Sequence, residues 1–313
     1  MGIKIVKGEL APEKIPKTPA KLLIPQEKFT IALCQLASEV VEKKENWDAN
    51  LEKAIECIEE AAKAKADLVV FPEMYMCNYM AQHESRYFAE PVPGPTTEKL
   101  ADVAKKNDIY IIIGMPVMVK GFPGLVKNSA AVIGPEGIMG EYSKSTLPTF
   151  RVPPIGLITE GNHWTPGLRF PVFKMRSWTV GINICQDCLL PETSRIYALQ
   201  GAQLIVTISA GPSLFKDAWG IMLPMRALEN AVFQAYCNVV GTFRGVSFFG
   251  GNRVIAPTGD IIVQGPIDEE AIVIGTMDIN VLYEARCSLP ILRPGYDLQP
   301  YLYELITKPA RYE

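Results

Sequence analysis

Three side chains that could together cleave an acyl bond stand at the ends of predicted strands in this chain. Cys185 ends the run 178–185, and a helix-start signal with Pro191 and Glu192 follows it. A thiol at such a strand exit lies beside free backbone N–H groups. These can lower its pKa and can receive the oxyanion that forms when sulfur attacks an acyl carbon. The position favours a nucleophile, although a buried core thiol is the commoner role of a cysteine.

The sequence also offers a base and a cation for such a nucleophile. Its two histidines, His83 and His163, are in no evident strand-end setting, so a histidine base is not predicted. Glu73 ends an apolar run, where desolvation can raise a carboxyl pKa and suit it to general-base catalysis. Lys144 follows a predicted hairpin strand, and its ammonium could pair with Glu73 and stabilise an oxyanion. Taken singly, Glu73 is as readily a loop acid, and a strand-end lysine is usually solvated.

Cys185 and Cys188 form a Cys-x-x-Cys pair, which leaves a redox dithiol or half of a zinc site as alternatives. The sequence contains no second close Cys/Cys or Cys/His pair, so zinc is not predicted. The cysteines number seven, and a chain of 313 residues does not need a disulfide framework. We expect reduced thiols and neither a metal nor an organic cofactor.

The composition restricts the class of partner. The net charge of −3 provides no basic field for nucleic acid, and 48% hydrophobic residues are ordinary for a globular protein. No apolar run approaches the roughly 20 residues of a membrane-spanning helix, and the N-terminus lacks a signal-peptide pattern. We therefore expect a cytoplasmic protein that binds a small molecule and neither nucleic acid nor membrane.

Strand and helix patterns alternate along the chain, which indicates a layered α/β architecture. We assign residues 1–28, rich in Lys and Pro, to an extension that lies on the surface or on a partner subunit, and residues 29–313 to one domain. The turn 134–137 joins two strands in a hairpin. The predicted strands are 29–36, 66–71, 108–114, 124–133, 138–143, 178–185, 204–209, 239–243, 252–256 and 271–277, and the predicted helices are 46–64, 96–106, 191–200 and 217–236.

Three short motifs connect the candidate residues with a known family. The chain resembles the nitrilase superfamily of carbon–nitrogen hydrolases from about residue 29 to about residue 303. In that family a Phe-Pro-Glu supplies the base, a Tyr-x-Lys before Leu-Pro supplies the lysine, and a Cys-Tyr-Asp-x-x-x-Pro-Glu-x-x-Arg segment supplies the nucleophile. The matching residues here are Phe71-Pro72-Glu73, Tyr142-Ser143-Lys144 with Leu147-Pro148, and Cys185-Gln186-Asp187 with Pro191-Glu192 and Arg195.

The resemblance implies an α/β fold of the four-layer α-β-β-α sandwich type, in subunits that form a homodimer or a larger homo-oligomer. It makes Cys185 the nucleophile of a thioester mechanism and Glu73 its general base. Lys144 and the backbone N–H of Gln186 would hold the oxyanion. The family's second glutamate matches Glu160, which should hydrogen-bond Lys144 and position it.

The resemblance also indicates the substrate: a small amide or N-carbamoyl compound, cleaved at a non-peptide C–N bond. Nitrile hydrolysers of the family usually follow the cysteine with Trp-Glu, whereas this chain keeps Asp187. Gln186 departs from the usual aromatic residue, and Cys188 and two leucines replace the basic residues of carbamoyl-amino-acid hydrolases, so we expect a neutral or apolar acyl group. Tyr79 and Ser209 are further candidates for the pocket, with ordinary packing as their alternative. The alternative functions are nitrile hydrolysis, a non-catalytic scaffold and a redox protein.

Overall fold

The computed structural model describes residues 3–11, 14, 28–153, 156–288, 291–292 and 304. Five α-helices and seventeen β-strands are found in these residues, together with short 3₁₀ helices. The helices are α1 (Lys44–Lys63), α2 (Pro95–Asn107), α3 (Pro191–Leu199), α4 (Lys216–Asn230) and α5 (Ile279–Ser288). The strands are β1 (Lys4–Gly8), β2 (Lys28–Gln35), β3 (Leu68–Val70), β4 (Tyr110–Met118), β5 (Val126–Gly134), β6 (Gly137–Ser143), β7 (Thr149–Val152), β8 (Gly156–Thr159), β9 (Phe173–Met175), β10 (Trp178–Ile184), β11 (Leu204–Ser209), β12 (Phe233–Asn238), β13 (Val240–Phe243), β14 (Val246–Phe249), β15 (Arg253–Ile255), β16 (Ile261–Gln264) and β17 (Ala271–Asp278).

Two mixed sheets form the centre of the fold. The first has seven strands in the order β1-β17-β2-β3-β4-β5-β6, and the second has six in the order β16-β15-β12-β11-β10-β9. In both sheets the three central strands run parallel, β2-β3-β4 in the first and β10-β11-β12 in the second. Helices connect these strands, as parallel neighbours require a crossover. Antiparallel strands flank them on both sides.

The sheets pack face to face, and helices cover both outer faces. In β2, Ile31 and Leu33 point to the apolar core between the sheets, while Ala32 and Cys34 point to the core under α1 and α2. The Phe29 and Trp178 rings meet across the sheets with centroids 5.4 Å apart. On the other outer face, α4 packs on β12. This arrangement confirms the predicted four-layer α-β-β-α sandwich.

Helix α1 shows why the sequence pattern was informative for the outer layers. Its first turn carries Glu45 and its last turn Lys63, charges that suit the helix dipole. Its apolar residues recur at helical spacing, which places them all on the face that meets the first sheet. The buried residues are Trp47, Asn50, Leu51, Ala54, Cys57, Ile58 and Ala61.

Two predictions of local structure differ from the fold. The helix predicted over 217–236 is shorter in the structure, where α4 ends at Asn230. Ala231 adopts the left-handed conformation with φ +44°, and Phe233 begins strand β12. Residues 4–8 were assigned to the extension, whereas they form β1, an edge strand that pairs in parallel with β17. The residues of β1 are all exposed or half-buried, so the strand lacks a strong apolar signal. Residues 15–27 of the assigned extension lie outside the described part of the chain.

The topology brings the candidate residues to one place. β3, β10 and β11 are parallel strands within their sheets, and Glu73, Cys185 and Ser209 lie at or just beyond their carboxyl ends. Loops at the carboxyl ends of parallel strands are the usual location of binding sites in α/β proteins. Within the described residues, no helix has both the length and the apolar character needed to cross a bilayer.

Candidate active site

Glu73 is buried and held by three hydrogen-bond donors from three different segments. Its Oε1 accepts from Asn128 Nδ2 at 2.7 Å and from Lys144 Nζ at 2.8 Å, and its Oε2 accepts from the backbone N–H of Ala210 at 2.7 Å. The turn that carries it passes close to β4 at Gly114, where a Cβ atom would lie 2.2 Å from the Pro72 carbonyl oxygen. The site therefore requires glycine at this position.

Lys144 follows β6 and is completely buried, with its ammonium shared by two carboxylates. The Nζ atom lies 2.8 Å from Glu73 Oε1 and 2.6 Å from Glu160 Oε1. Its backbone is fixed as well, since its N–H donates to the Asn128 carbonyl at 2.9 Å and its own carbonyl accepts from Gly167 N at 2.8 Å. A buried ammonium with two carboxylate partners has its charge compensated and its position fixed.

The charges of this cluster shift its pKa values. Burial alone would lower the pKa of Lys144, but the charges of Glu160 and Glu73 outweigh it and hold that pKa above its usual value. Burial raises the pKa of Glu160 to about 7, against the opposing effect of Lys144. The ammonium is therefore kept charged and can meet an oxyanion.

Cys185 lies just beyond β10 in a strained backbone conformation. The strand ends at Ile184, one residue before its predicted end, and Cys185 opens a 3₁₀ helix (Cys185–Leu189) with φ +46°. A left-handed conformation of a non-glycine residue costs on the order of 1–3 kcal/mol and needs support from its surroundings. Asp187 gives that support, since its Oδ2 accepts from Ile184 N at 3.0 Å.

The surroundings of the Cys185 thiol disfavour its thiolate form. Burial and then the charge of Glu73 raise its pKa well above the usual value, while Lys144 and the nearby Ser209 hydroxyl act in the opposite direction. A thiol of this kind needs a base to take its proton as it attacks. Glu73 is oriented by three donors, and its charge acts on the thiol more strongly than that of Glu160, which makes it the candidate base.

Asp187 connects the nucleophile's turn to the segment after Lys144. One carboxylate oxygen, Oδ2, also accepts from Tyr142 Oη at 2.7 Å. The other, Oδ1, accepts from Ser145 N at 3.2 Å, from Ser145 Oγ at 2.8 Å and from Thr146 N at 2.9 Å. The fully buried Asp187 thereby fixes the relative positions of Cys185 and Lys144.

The structure brings Glu160 into the cluster, as predicted, and Tyr79 with it. Glu160 opens a short 3₁₀ helix after β8, and its Oε1 accepts from Lys144 and, at 2.8 Å, from Tyr79 Oη. The Tyr79 hydroxyl therefore supports Glu160, and its ring packs against Trp164 at 5.5 Å between centroids. Gln186 is half-buried, next to the nucleophile and in the first turn of the 3₁₀ helix, where backbone N–H groups lack helical partners.

Two contributors to the site were missed in the sequence. Asn128 contacts Glu73 through its side chain and Lys144 through its carbonyl, and a polar residue in the buried strand β5 was a usable signal. The Ala210 N–H had no signal, because any residue except proline has this donor. The rings of His83 and His163 lie 6.4 Å from each other and that of His163 packs against Trp164, while the His163 backbone N–H donates to the Glu160 carbonyl at 2.9 Å.

The two cysteines of the Cys-x-x-Cys pair differ in exposure, since Cys185 is half-buried and Cys188 is buried. Cys188 is fully buried, and burial raises the pKa of its thiol to about 11, which leaves little thiolate for disulfide exchange. Among the residues that the structure describes, no group of three or more His, Cys, Asp or Glu side chains is arranged to hold a metal ion.

The comparison with known families agrees with this geometry. Residues 30–287 match the family described as Carbon-nitrogen hydrolase. The chain belongs to this family. It is a carbon–nitrogen hydrolase of the nitrilase superfamily, as its three motifs predicted.

The carbon–nitrogen hydrolase is similar to proteins of different organisms over most of its length. It is 31% identical to omega-amidase NIT2 of Homo sapiens, over 85% of this chain and 94% of that protein. It is 32% identical to a nitrilase of Pyrococcus abyssi, over 82% of this chain and 92% of that protein. An amidase structure from Nesterenkonia sp. has the same fold, with a TM-score of 0.70 and 23% identity over 86% of this chain and 97% of that one. A variant of that amidase carries the acetamide moiety of fluoroacetamide covalently on its active-site cysteine.

Proposed function

We propose that this hydrolase cleaves a small amide or N-carbamoyl compound through a thioester on Cys185, and that the acyl group is neutral or apolar. The observation that carries the proposal is the buried Lys144 ammonium, shared by Glu73 and Glu160. The likeness to an omega-amidase and to an amidase supports amide chemistry. The covalent adduct on the cysteine of the Nesterenkonia sp. amidase variant supports a covalent step.

The first half of the reaction forms the thioester. Glu73 takes the thiol proton of Cys185 while the sulfur bonds to the substrate carbonyl carbon. The carbonyl oxygen becomes an oxyanion, which Lys144 and the backbone N–H of Gln186 stabilise. The C–N bond then breaks, and the nitrogen leaves as ammonia or an amine with the proton that Glu73 returns to it.

The second half releases the acid. Water loses a proton to Glu73 and attacks the thioester carbonyl, and the same donors stabilise the second oxyanion. The C–S bond then breaks, and the sulfur regains its proton from Glu73. Glu160 and Tyr79 keep Lys144 in place throughout, so they act as positioning residues.

Ammonia release from a panel of amides, carbamoyl compounds and nitriles tests the proposal. We expect turnover of amides or carbamoyl compounds by the wild type and none by Cys185→Ala. An amide should have a higher kcat/KM than its matching nitrile, because the amide forms a full oxyanion on attack. A clear preference for the nitrile would replace amide hydrolysis with the nitrilase function, which the similarity to the Pyrococcus abyssi protein makes the second candidate.

We also propose that the protein works in the cytoplasm as a homodimer or larger homo-oligomer. Exposed apolar side chains on α4 support self-association, since Ile221 is 75% and Met225 49% exposed in the single chain. Light scattering during size-exclusion chromatography should give at least twice the mass of the chain. Ile221→Glu should shift the protein toward the monomer, and an unchanged mass would remove α4 from the interface.

A further inference from the structure

Three buried amide side chains form a hydrogen-bonded chain between the two sheets, and the proposed mechanism uses none of them. They are Gln35 at the end of β2, Asn238 at the end of β12 and Asn252 just before β15, and all three are completely buried. Gln35 Oε1 accepts from Asn252 N at 2.8 Å, and Asn252 Oδ1 accepts from Asn238 N at 2.7 Å. The chain therefore runs from the first sheet to the second.

The chain ends on the backbone of Gly211, next to the catalytic cluster. Asn238 Oδ1 accepts from Gly211 N at 2.7 Å, and Asn238 Nδ2 donates to the carbonyls of Gly211 at 3.2 Å and of Gly250 at 3.3 Å. Only this orientation of the amide pairs its oxygen with an N–H group and its nitrogen with carbonyl groups. Asn238 thus binds both polar groups of the Gly211 backbone and fixes that residue.

Gly211 directly follows Ala210, whose N–H donates to Glu73 Oε2 at 2.7 Å. This hydrogen bond joins the two sheets. Glu73 follows β3 of the first sheet, whereas Cys185 and Ala210 follow the neighbouring strands β10 and β11 of the second. The Ala210 N–H therefore connects the carboxylate of the proposed base to the sheet that carries the proposed nucleophile.

The other two donors to Glu73 do not make this connection. Asn128 lies on β5 and Lys144 follows β6, and both strands belong to the first sheet, as does β3 before Glu73. Among the donors found in the described residues, the Ala210 N–H alone fixes the Glu73 carboxylate relative to the second sheet. Loss of the Asn238 side chain would free the backbone next to this donor.

We infer that Asn238 is a positioning residue for the proton transfer from Cys185 to Glu73. Its side-chain hydrogen bonds go to backbone groups, so it acts on Glu73 through Gly211 and Ala210. The inference rests on the proposed function, in which Glu73 is the base, and adds a residue to the machinery of that site.

The alternative is a purely structural role, and the chain contains a matched example of it. Asn50 on α1 is buried, its Oδ1 accepts from Glu39 N at 2.7 Å, and its Nδ2 donates to the carbonyls of Glu39 at 3.0 Å and of Met76 at 3.1 Å. Asn50 therefore makes the same three kinds of hydrogen bond, but not to the backbone that binds the Glu73 carboxylate. Asn50→Ala is the control for their loss.

Steady-state kinetics with an amide substrate separates the two roles. Asn238→Ala should lower kcat about tenfold or more with little change in KM, as expected when a hydrogen bond to a charged base is weakened. Asn50→Ala should lower the melting temperature but keep kcat close to the wild-type value. Equal losses of kcat in the two variants, or a loss confined to KM, would overturn the inference. If Asn238→Ala does not fold, Asn238→Asp with Asn50→Asp as its control answers the same question, since aspartate removes only the donor to the carbonyls.

Alkylation of Cys185 by iodoacetamide tests the inference without amide turnover. The thiol gives its proton to Glu73 as the sulfur bonds to carbon and iodide leaves, so the rate reports on the base. We expect Asn238→Ala to slow this reaction about tenfold and Asn50→Ala to leave it unchanged. The double variant Glu73→Gln/Asn238→Ala should react no more slowly than Glu73→Gln, because Asn238 acts through Glu73.

Mass spectrometry of the peptide that contains Cys185 measures these rates. The expected pattern would support the inference even if no amide releases ammonia and the proposed substrate class falls. A wild-type alkylation rate in Asn238→Ala, or slowing by the same factor with and without Glu73, would overturn the inference alone.

Discussion

The two carboxylates that share Lys144 are held in very different ways. Glu73 has both oxygens hydrogen-bonded, to a side-chain amide, an ammonium and a backbone N–H. Glu160 has one oxygen bonded to Lys144 and Tyr79, while its Oε2 is buried without a partner among the described residues. Glu73 is thus fixed in orientation as a base needs to be, and Glu160 is held mainly through Lys144. The difference supports the proposed roles, proton transfer for Glu73 and positioning for Glu160.

The largest effect should come from Glu73→Gln. Glutamine keeps the shape of the side chain and one acceptor oxygen, but it cannot take the thiol proton, and its N–H₂ group faces a donor in place of the second oxygen. We expect kcat/KM to fall by roughly 10²–10⁴-fold, the usual contribution of a general base. A cooperative circular-dichroism melting curve, at a lower temperature than that of the wild type, should show that the fold is kept. A smaller loss than that of Glu160→Gln would reverse the two roles.

Lys144→Ala should combine a rate loss with a stability loss. Removing an oxyanion partner typically costs about 10²–10³-fold in kcat. It also leaves two buried carboxylates without their counter-charge, and breaking a buried ion pair destabilises by about 3–5 kcal/mol. Denaturant unfolding measures the second effect. If stability were unchanged, the ammonium would not be the charge that holds Glu73 and Glu160 together.

Glu160→Gln should have a smaller effect that depends on pH. Because burial raises the pKa of Glu160 to about 7, the wild type loses the Glu160 charge as the pH falls through this value. The variant resembles the protonated wild type, so the ratio of wild-type to variant kcat/KM should be largest above pH 7 and should shrink below it. In stability, protonated Glu160 favours the folded state at low pH, and this advantage is lost as the pH rises toward 7. A pH-independent activity ratio would contradict the positioning role.

Tyr79→Phe should have the smallest effect. It removes one of the two donors to Glu160 Oε1 and leaves Lys144 in place. We expect a loss of about tenfold or less in kcat, in keeping with the energy of one hydrogen bond to a charged group. Tyr110→Phe provides the comparison with a tyrosine outside the cluster. A loss as large as that of Glu73→Gln would indicate that Tyr79 contacts the substrate, the role first predicted for it.

The sequence predicted which residues form the site, but not all of the contacts that position them. Glu73 and Cys185 end apolar runs, Lys144 ends a hairpin strand, and such strand ends are visible in a single sequence. The left-handed backbone of Cys185 and its support by Asp187 could not be predicted from the sequence, because they depend on contacts between segments that are distant in the chain. Ser209 was visible as a strand end, while its place beside Cys185 depends on the pairing of β10 with β11.

The secondary structure was also predicted correctly for some elements and missed for others. Helix α1 was found because one face of it is apolar, and the inner strands because they are buried on both sides. The end of α4 was missed, because the apolar run 231–237 fits a helix or a strand equally well and Ala231 gives no warning of its left-handed conformation. Edge strand β1 was missed because its pairing with β17 depends on the backbone rather than on its side chains.

A covalent intermediate on Cys185 tests the central claim most directly. The wild type, quenched in acid during turnover of a slow amide, should gain the mass of the acyl group on one residue. Trypsin cleavage after Arg176 and Arg195 gives a peptide that contains both Cys185 and Cys188, so fragmentation must locate the adduct. We predict the acyl group on Cys185, its persistence in Cys188→Ala and its absence in Cys185→Ala. An adduct on Cys188, or continued amide turnover by Cys185→Ala, would contradict the account.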